Sequence, residues 1–198
     1  MRTWLGWALA GLVWLATTGA SQAGHDLGPR PPGSFDYYVL TLTWVPSFCA
    51  GHGGSVECRK GLGFALHGLW PQMEGGDYPS SCSDVALSPA DHEQFAAAYP
   101  DPAMIDHEWP KHGTCSGLSP ADYYALSAAD VAEVTIPATY QSPRILRAGQ
   151  AGSVQQAFVA ANAGLPADGI KAVTARGVVM EVEICLTKAG AFRSCAAP

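Results

Sequence analysis

The sequence carries little charge, no closely paired cysteines and no long apolar run after its first residues, and each absence removes a class of function. Charged residues make up 14% of the 198, and 17 Asp and Glu against 11 Lys and Arg leave a formal net charge of −6. This argues against a broad basic face that grips nucleic acid, whereas it leaves room for a small cationic cleft acting briefly on a polyanion. No C-x-x-C pair occurs among Cys49, Cys58, Cys82, Cys115, Cys185 and Cys195, which argues against structural zinc. The glycine-rich loop AGHGGSVE between Cys49 and Cys58 lacks the Gly-Lys-Ser/Thr ending of a phosphate-binding P-loop. No segment beyond the N-terminus is apolar enough to span a bilayer.

The N-terminus itself reads as a signal peptide over residues 1–23: Arg2, an apolar run from Trp4 to Ala16, then Ser21-Gln22-Ala23 as a small-residue cleavage site. The run is short for a membrane span, and Thr17, Thr18 and Gly19 follow it instead of a basic stop-transfer cluster. A mature chain of residues 24–198 is expected, one exported domain in the periplasm or outside the cell, monomeric and without membrane contact. Six cysteines agree with an oxidising compartment. Their spacing alone chooses no pairing.

Residues 24–34 are rich in Pro and Gly and read as an irregular lead-in. From Phe35 to Trp44 the pattern alternates, with Tyr38, Leu40, Leu42 and Trp44 opposite Tyr37, Val39, Thr41 and Thr43, which predicts a half-buried strand ended by Pro46. Residues 62–69 predict a second strand, ended by Trp70-Pro71. Ser88-Pro89-Ala90-Asp91 and Ser119-Pro120-Ala121-Asp122 each predict a helix start, the second helix running to about Glu133. Ser153 opens a further helix that Gly164 ends. Val178 to Leu186 alternates again, and Phe192 to Cys195 can pair back after a turn at Thr187–Gly190. Strands near both ends with helices between, and no βαβ rhythm, predict an α+β fold: a central antiparallel β-sheet flanked by helices.

Two stretches concentrate the chemistry. HEWPKHGTC places His107, Glu108, Lys111 and His112 within six residues, a mixture suited to acid–base work near neutrality. FALHGLWPQ places His67 beside Gly68, where a strand end presents a side chain to a cleft. His25, His52 and His92 stand outside both stretches and read as bystanders. Together the two stretches resemble the signature segments of the ribonuclease T2 family, and Trp44-Val45-Pro46-Ser47-Phe48-Cys49 resembles that family's opening strand.

The resemblance implies a metal-independent endoribonuclease that cuts single-stranded RNA by transphosphorylation through a 2′,3′-cyclic phosphate, followed by slower hydrolysis to 3′-phosphate ends. His112 then matches the general base and His67 the general acid. Glu108 and Lys111 match positions that stabilise the phosphorane, His107 one that holds phosphate, and Trp70 one that stacks on a base. Disulfides Cys49–Cys58, Cys82–Cys115 and Cys185–Cys195 are implied as well. Gln72 stands where some relatives carry an acid that helps choose the base, and Thr43 where some plant members have glutamine, so no base preference follows.

The resemblance implies attack by the substrate's own 2′-hydroxyl, so no serine or cysteine nucleophile is needed and DNA is not expected to be cut; it also implies no metal or cofactor. A metal-dependent hydrolase built on His107, Glu108 and His112 is a rival reading. H-E-x-x-H needs ligands four apart on one helical face, whereas here the gap is five and Pro110 interrupts the helix. An exported, non-catalytic RNA-binding or inhibitory relative of the same fold is the other rival.

Overall fold

The alternation that begins at Phe35 becomes strand β1 (Tyr37–Trp44), with Tyr38, Leu40, Leu42 and Trp44 turned into the main hydrophobic core. The computed structural model describes residues 24–96, 99–143 and 148–195. The expected signal peptide lies outside them. All eight residues of β1 are buried, so the half-buried strand expected from alternation is corrected. β1 is an inner strand, antiparallel to β2 (Phe64–Gln72) on one side and to β4 (Val178–Leu186) on the other. On its second face Tyr37 and Val39 join Cys185 in a small cluster against which Trp70 and Cys195 pack.

A fourth strand, β3 (Ile170–Ala175), pairs antiparallel to the outer edge of β4, giving the order β2-β1-β4-β3. Its six residues alternate too weakly to stand out in sequence. Strand β2 continues through Pro71, where a stop was expected. It is an edge strand, and a proline is tolerated where one side of the ladder is unpaired. Pro46 sits in a one-turn helix, α1 (Val45–Cys49), directly after β1.

Helices α2 (Pro89–Phe95) and α4 (Pro120–Glu133) begin where their serine–proline signals predict. Ser88 and Ser119 each accept from the backbone N–H of the acid three residues on, at 3.2 Å in both cases. Helix α3 (Ile105–Lys111) carries the second signature stretch. Helix α5 (Ala151–Ala161) starts before Ser153 and ends at Asn162, not Gly164. Gly149, at φ +100°, turns the chain immediately ahead of it. At the far end the Asn162 amide ties the chain to Thr135 and to the Phe158 carbonyl.

The helices supply Phe95, Ile105, Trp109, Tyr123, Tyr124, Val154 and Phe158 to the core on one face of the sheet, each large apolar side chain stabilising the fold by roughly 1.5–3 kcal/mol. Three disulfides form, Cys49–Cys58, Cys82–Cys115 and Cys185–Cys195, with no free cysteine among the described residues. No helix among those residues is long and apolar enough to cross a membrane.

One carboxyl lies inside this frame. Asp130 on α4 is 5% exposed, its Oδ2 has no hydrogen-bond partner, and a Cβ at Gly190 would collide with its Oδ1. Burial pushes its pKa up to about 6 from 3.8. A carboxyl whose folded pKa is raised costs nothing below its unfolded value and destabilises as pH rises through the folded one. Asp130→Asn is expected to raise unfolding free energy at pH 7 by about 1–3 kcal/mol and to change it little at pH 4. Urea denaturation at the two pH values checks this, and equal effects at both would contradict it.

Candidate active site

The register between β1 and β2 slips by one residue where Thr41 faces Gly68 and Leu42 faces Leu66. His67 is the extra residue of this bulge, a device that bends a strand and re-aims a side chain. A mid-strand bulge thus takes the place of the strand end expected from Trp70-Pro71. His67 Nδ1 lies 2.6 Å from Glu181 Oε1 on β4, and its Nε2 lies 3.6 Å from Glu108 Oε1 on α3. Thr43 Oγ1 donates to the same Glu181 oxygen at 3.2 Å.

Helix α3 is oriented by what it buries. Trp109 is 1% exposed, packs on Tyr123 and Tyr124, and donates from Nε1 to the Val85 carbonyl at 2.6 Å. Glu108 is buried beside it, while His107 is exposed and Lys111 half-buried. Pro110 lies within α3, which ends one residue later, and His112 caps it by donating its backbone N–H to the Glu108 carbonyl at 2.9 Å. The Cys82–Cys115 disulfide ties the following turn down, with Cys82 N–H bonded to Thr114 Oγ1 and Ser81 N–H to the Lys111 carbonyl.

Trp70 joins the two segments. Its Nε1 donates to Glu108 Oε2 at 2.8 Å, its ring stacks on His112 at 5.0 Å, and its edge meets His67 at 5.1 Å. A side chain at residue 68 would collide with Glu108 Oε2 and Trp70 Nε1, and one at residue 113 with the Trp109 ring. The glycines of both stretches are therefore explained by close approach. His67, Trp70, His107, Lys111 and His112 all line one cavity of about 590 Å³, with Glu108 buried behind them. Gln72 and Tyr78 line it too, and Lys111 Nζ lies 5.9 Å from the Tyr78 ring centroid. The bystander histidines are elsewhere: His25 against Asp77, His52 stacked on Phe48, and His92 near Asp106.

The environment sets the two imidazoles apart. Burial, with Lys111, His107 and His67 adding to it, pushes His112 down to about 3, so it stays neutral with a free lone pair. Burial also opposes charge on His67, but the hydrogen bond to Glu181 and the charges of Glu108, Glu181 and Glu57 outweigh it and hold the imidazole above its ordinary value. His107 is lowered by burial, Lys111 and His67. Burial pushes Glu108 up to about 7, against the opposing effects of His67, Trp70 and Lys111. Pairs of groups whose environments drive their pKa values apart are suited to divided acid and base roles. Glu181 was not singled out from sequence. Its only signal was its place on the outward row of an alternating strand.

A four-stranded antiparallel sheet with helices packed on it, and two histidine-bearing segments meeting at one cavity, make an α+β fold with a single candidate site. An RNase-related protein from Calystegia sepium superposes with a TM-score of 0.66 at 20% identity, over 83% of this chain and 92% of that one. Ribonuclease MC1 from bitter gourd seeds does so with a TM-score of 0.60 at 21% identity, over 81% and 94%. The chain belongs to the Ribonuclease T2 family, whose model matches residues 35–195. A ribonuclease of Aeromonas hydrophila is 50% identical over 97 residues, 48% of this chain and 45% of that protein, so the match spans less than half of that relative. Ribonuclease DdI of Dictyostelium discoideum is 32% identical over 151 residues, 70% and 67%.

The close approach at Gly68 carries its own test. Gly68→Ala is expected to destabilise the fold by about 1–3 kcal/mol, as overpacking does, because Glu108 and Trp70 must both shift. Equilibrium unfolding measures it, and wild-type stability would mean that the Glu108–Trp70 contact is looser than described.

Proposed function

We propose that the protein is a metal-independent endoribonuclease that cleaves single-stranded RNA through a 2′,3′-cyclic phosphate and then, more slowly, hydrolyses that product to a 3′-phosphate. One observation carries the reading: a neutral and a charge-prone imidazole, His112 and His67, line the same cavity with Lys111. In-line attack needs a proton removed from the 2′-oxygen on one side of phosphorus and one delivered to the 5′-oxygen on the other. His112 takes the first and His67 gives the second, each worth roughly 10²–10⁴-fold in rate. Charge gathers on the non-bridging oxygens between them. Lys111 addresses it as a cation, Glu108 as a carboxyl that can donate while protonated, and His107 holds the phosphate.

Trp70, stacked on His112 and lining the cavity, presents its ring to an unstacked base. A solved structure of RNase NT in complex with 5′-AMP shows that a protein of this fold accepts a nucleotide. Export after loss of residues 1–23 belongs to the same reading, supported by three disulfides in the described residues. So does a single catalytic domain over residues 24–198. The purified protein, given RNA with excess EDTA, is expected to release cyclic-phosphate ends that convert to 3′-phosphates, and to leave an all-deoxy oligonucleotide intact, since DNA lacks the 2′-hydroxyl. Loss of activity on chelation, or cleavage of the deoxy strand, overturns the mechanism. No cleavage at all favours a non-catalytic binding relative.

His67→Ala and His112→Ala are each expected to lower kcat/KM on RNA by at least about 10²-fold, with little effect from His25→Ala, His52→Ala or His92→Ala. The rate rises with pH as His112 loses its proton and falls as His67 loses its own. A bell on the acid side of neutrality follows from a base lowered to about 3 and an acid held above 6.5. Glu108, neutral below about 7, steepens the alkaline limb. A rate flat from mildly acid to alkaline pH contradicts these roles.

A further inference from the structure

We infer that Glu181 is a positioning residue for His67: its carboxylate holds Nδ1–H against strand β4 and thereby dedicates Nε2 to the cleft. The inference rests on the reading of His67 as general acid and assigns a part in that reaction to a residue outside both histidine-bearing stretches. The geometry is specific. Glu181 Oε1 is 2.6 Å from His67 Nδ1 and also accepts from Thr43 Oγ1 at 3.2 Å, and Thr43 and Glu181 are register partners across β1 and β4. Two paired strands therefore fix the carboxylate, and the bulge at His67 brings the ring to it.

A carboxylate has lone pairs only, so the hydrogen between these two groups belongs to Nδ1. The transferable proton of the imidazolium must then sit on Nε2, the nitrogen that faces Glu108 Oε1. When that proton passes to the departing 5′-oxygen, His67 is left as the neutral Nδ1–H tautomer, still bonded to Glu181 and ready to be protonated again at Nε2.

Other charged or titratable groups act on His67 besides Glu181. They are Glu108, His107 and His112 of α3 and its cap, and Glu57 in the short turn Val56–Arg59, while Lys111 lines the same cavity. The Glu181 hydrogen bond is the largest of the influences that favour the imidazolium. Replacing it by a neutral amide lowers the affinity of His67 for its proton and frees the ring to turn.

The test compares Glu181→Gln with wild type and His67→Ala, on RNA and on uridine 3′-(4-nitrophenyl phosphate), whose nitrophenolate leaves without a proton. Glu181→Gln is expected to lose about tenfold or more in kcat/KM on RNA, less than the roughly 10²–10⁴-fold of losing the acid outright. Its alkaline limb is expected to move to lower pH, and it should turn over the aryl ester at close to the wild-type rate. A uniform loss on both substrates with an unmoved pH limb means a merely structural role and overturns the inference, as does a wild-type profile on RNA. If His67→Ala loses RNA and aryl ester equally, the acid role of His67 fails instead, and the two failures are thus told apart. ¹⁵N spectra of His67 in the unaltered protein need no variant to fold. Above its titration the neutral ring should be the Nδ1–H tautomer, and an Nε2–H ring would overturn the inference.

Discussion

The hydrogen bond from Trp70 Nε1 to the buried carboxylate of Glu108 holds the site together, because it is where strand β2 and helix α3 become one unit. Gly68 leaves the room that lets the carboxylate approach the strand, and Trp109 anchors the helix that carries it. Once the indole is fixed by this bond, its face sets the plane of His112 and its edge meets His67. Both imidazoles are thus referred to a single ring. Truncating Trp70 leaves the wholly buried carboxyl of Glu108 short of a donor and frees both histidines. Unsatisfied buried charge is costly, typically about 1–3 kcal/mol or more for a lost partner.

Burial supplies the chemistry as well as the stability. Desolvation penalises whichever form carries charge, so the same physical cause pushes His112 down and Glu108 up. His67 escapes only because carboxylates surround it. The result is one imidazole that is neutral in acid, another that keeps its proton toward neutrality, and a carboxyl able to donate below about pH 7. Asp130, Glu57 and Glu183 are raised by burial too. Each raised carboxyl favours the folded state at mildly acid pH, where the proposed reaction also runs best. His107 and His112 act the other way, losing stability as pH falls through their lowered values.

The fold class, the two inner strands β1 and β4 and two helix starts were legible because each has a local cause: alternation for strands, a serine–proline–acid signal for α2 and α4. Strand β3 was not, since its six residues alternate weakly and only pairing with β4 defines it. The start of α5 was misread because Ser153 looks like a cap, whereas the backbone turn at Gly149 begins the helix sooner. At the site, the two histidine-bearing stretches stand out in sequence because their titratable residues are close neighbours. The bulge at His67 and the carboxylate of Glu181 were invisible for the opposite reason. A bulge is a property of two strands in register, and Glu181 lies 114 residues from the ring it contacts.

A formal charge of −6 sets the protein against the polyanion proposed as its substrate, which confines favourable contact to the few cations of the cavity. Lys111 and Lys171 line it together with His67, His107 and His112, but Asp168 and Glu183 line it too, so the cations that could meet a phosphate are few and stand among acids. Such a balance weakens any extended grip on RNA and leaves affinity to a few contacts at one phosphodiester. Protonating surface carboxylates in acid lessens the repulsion at pH values where His67 already carries its proton. Long-range electrostatics and the ionisation of the site therefore favour the same side of neutrality for the proposed reaction.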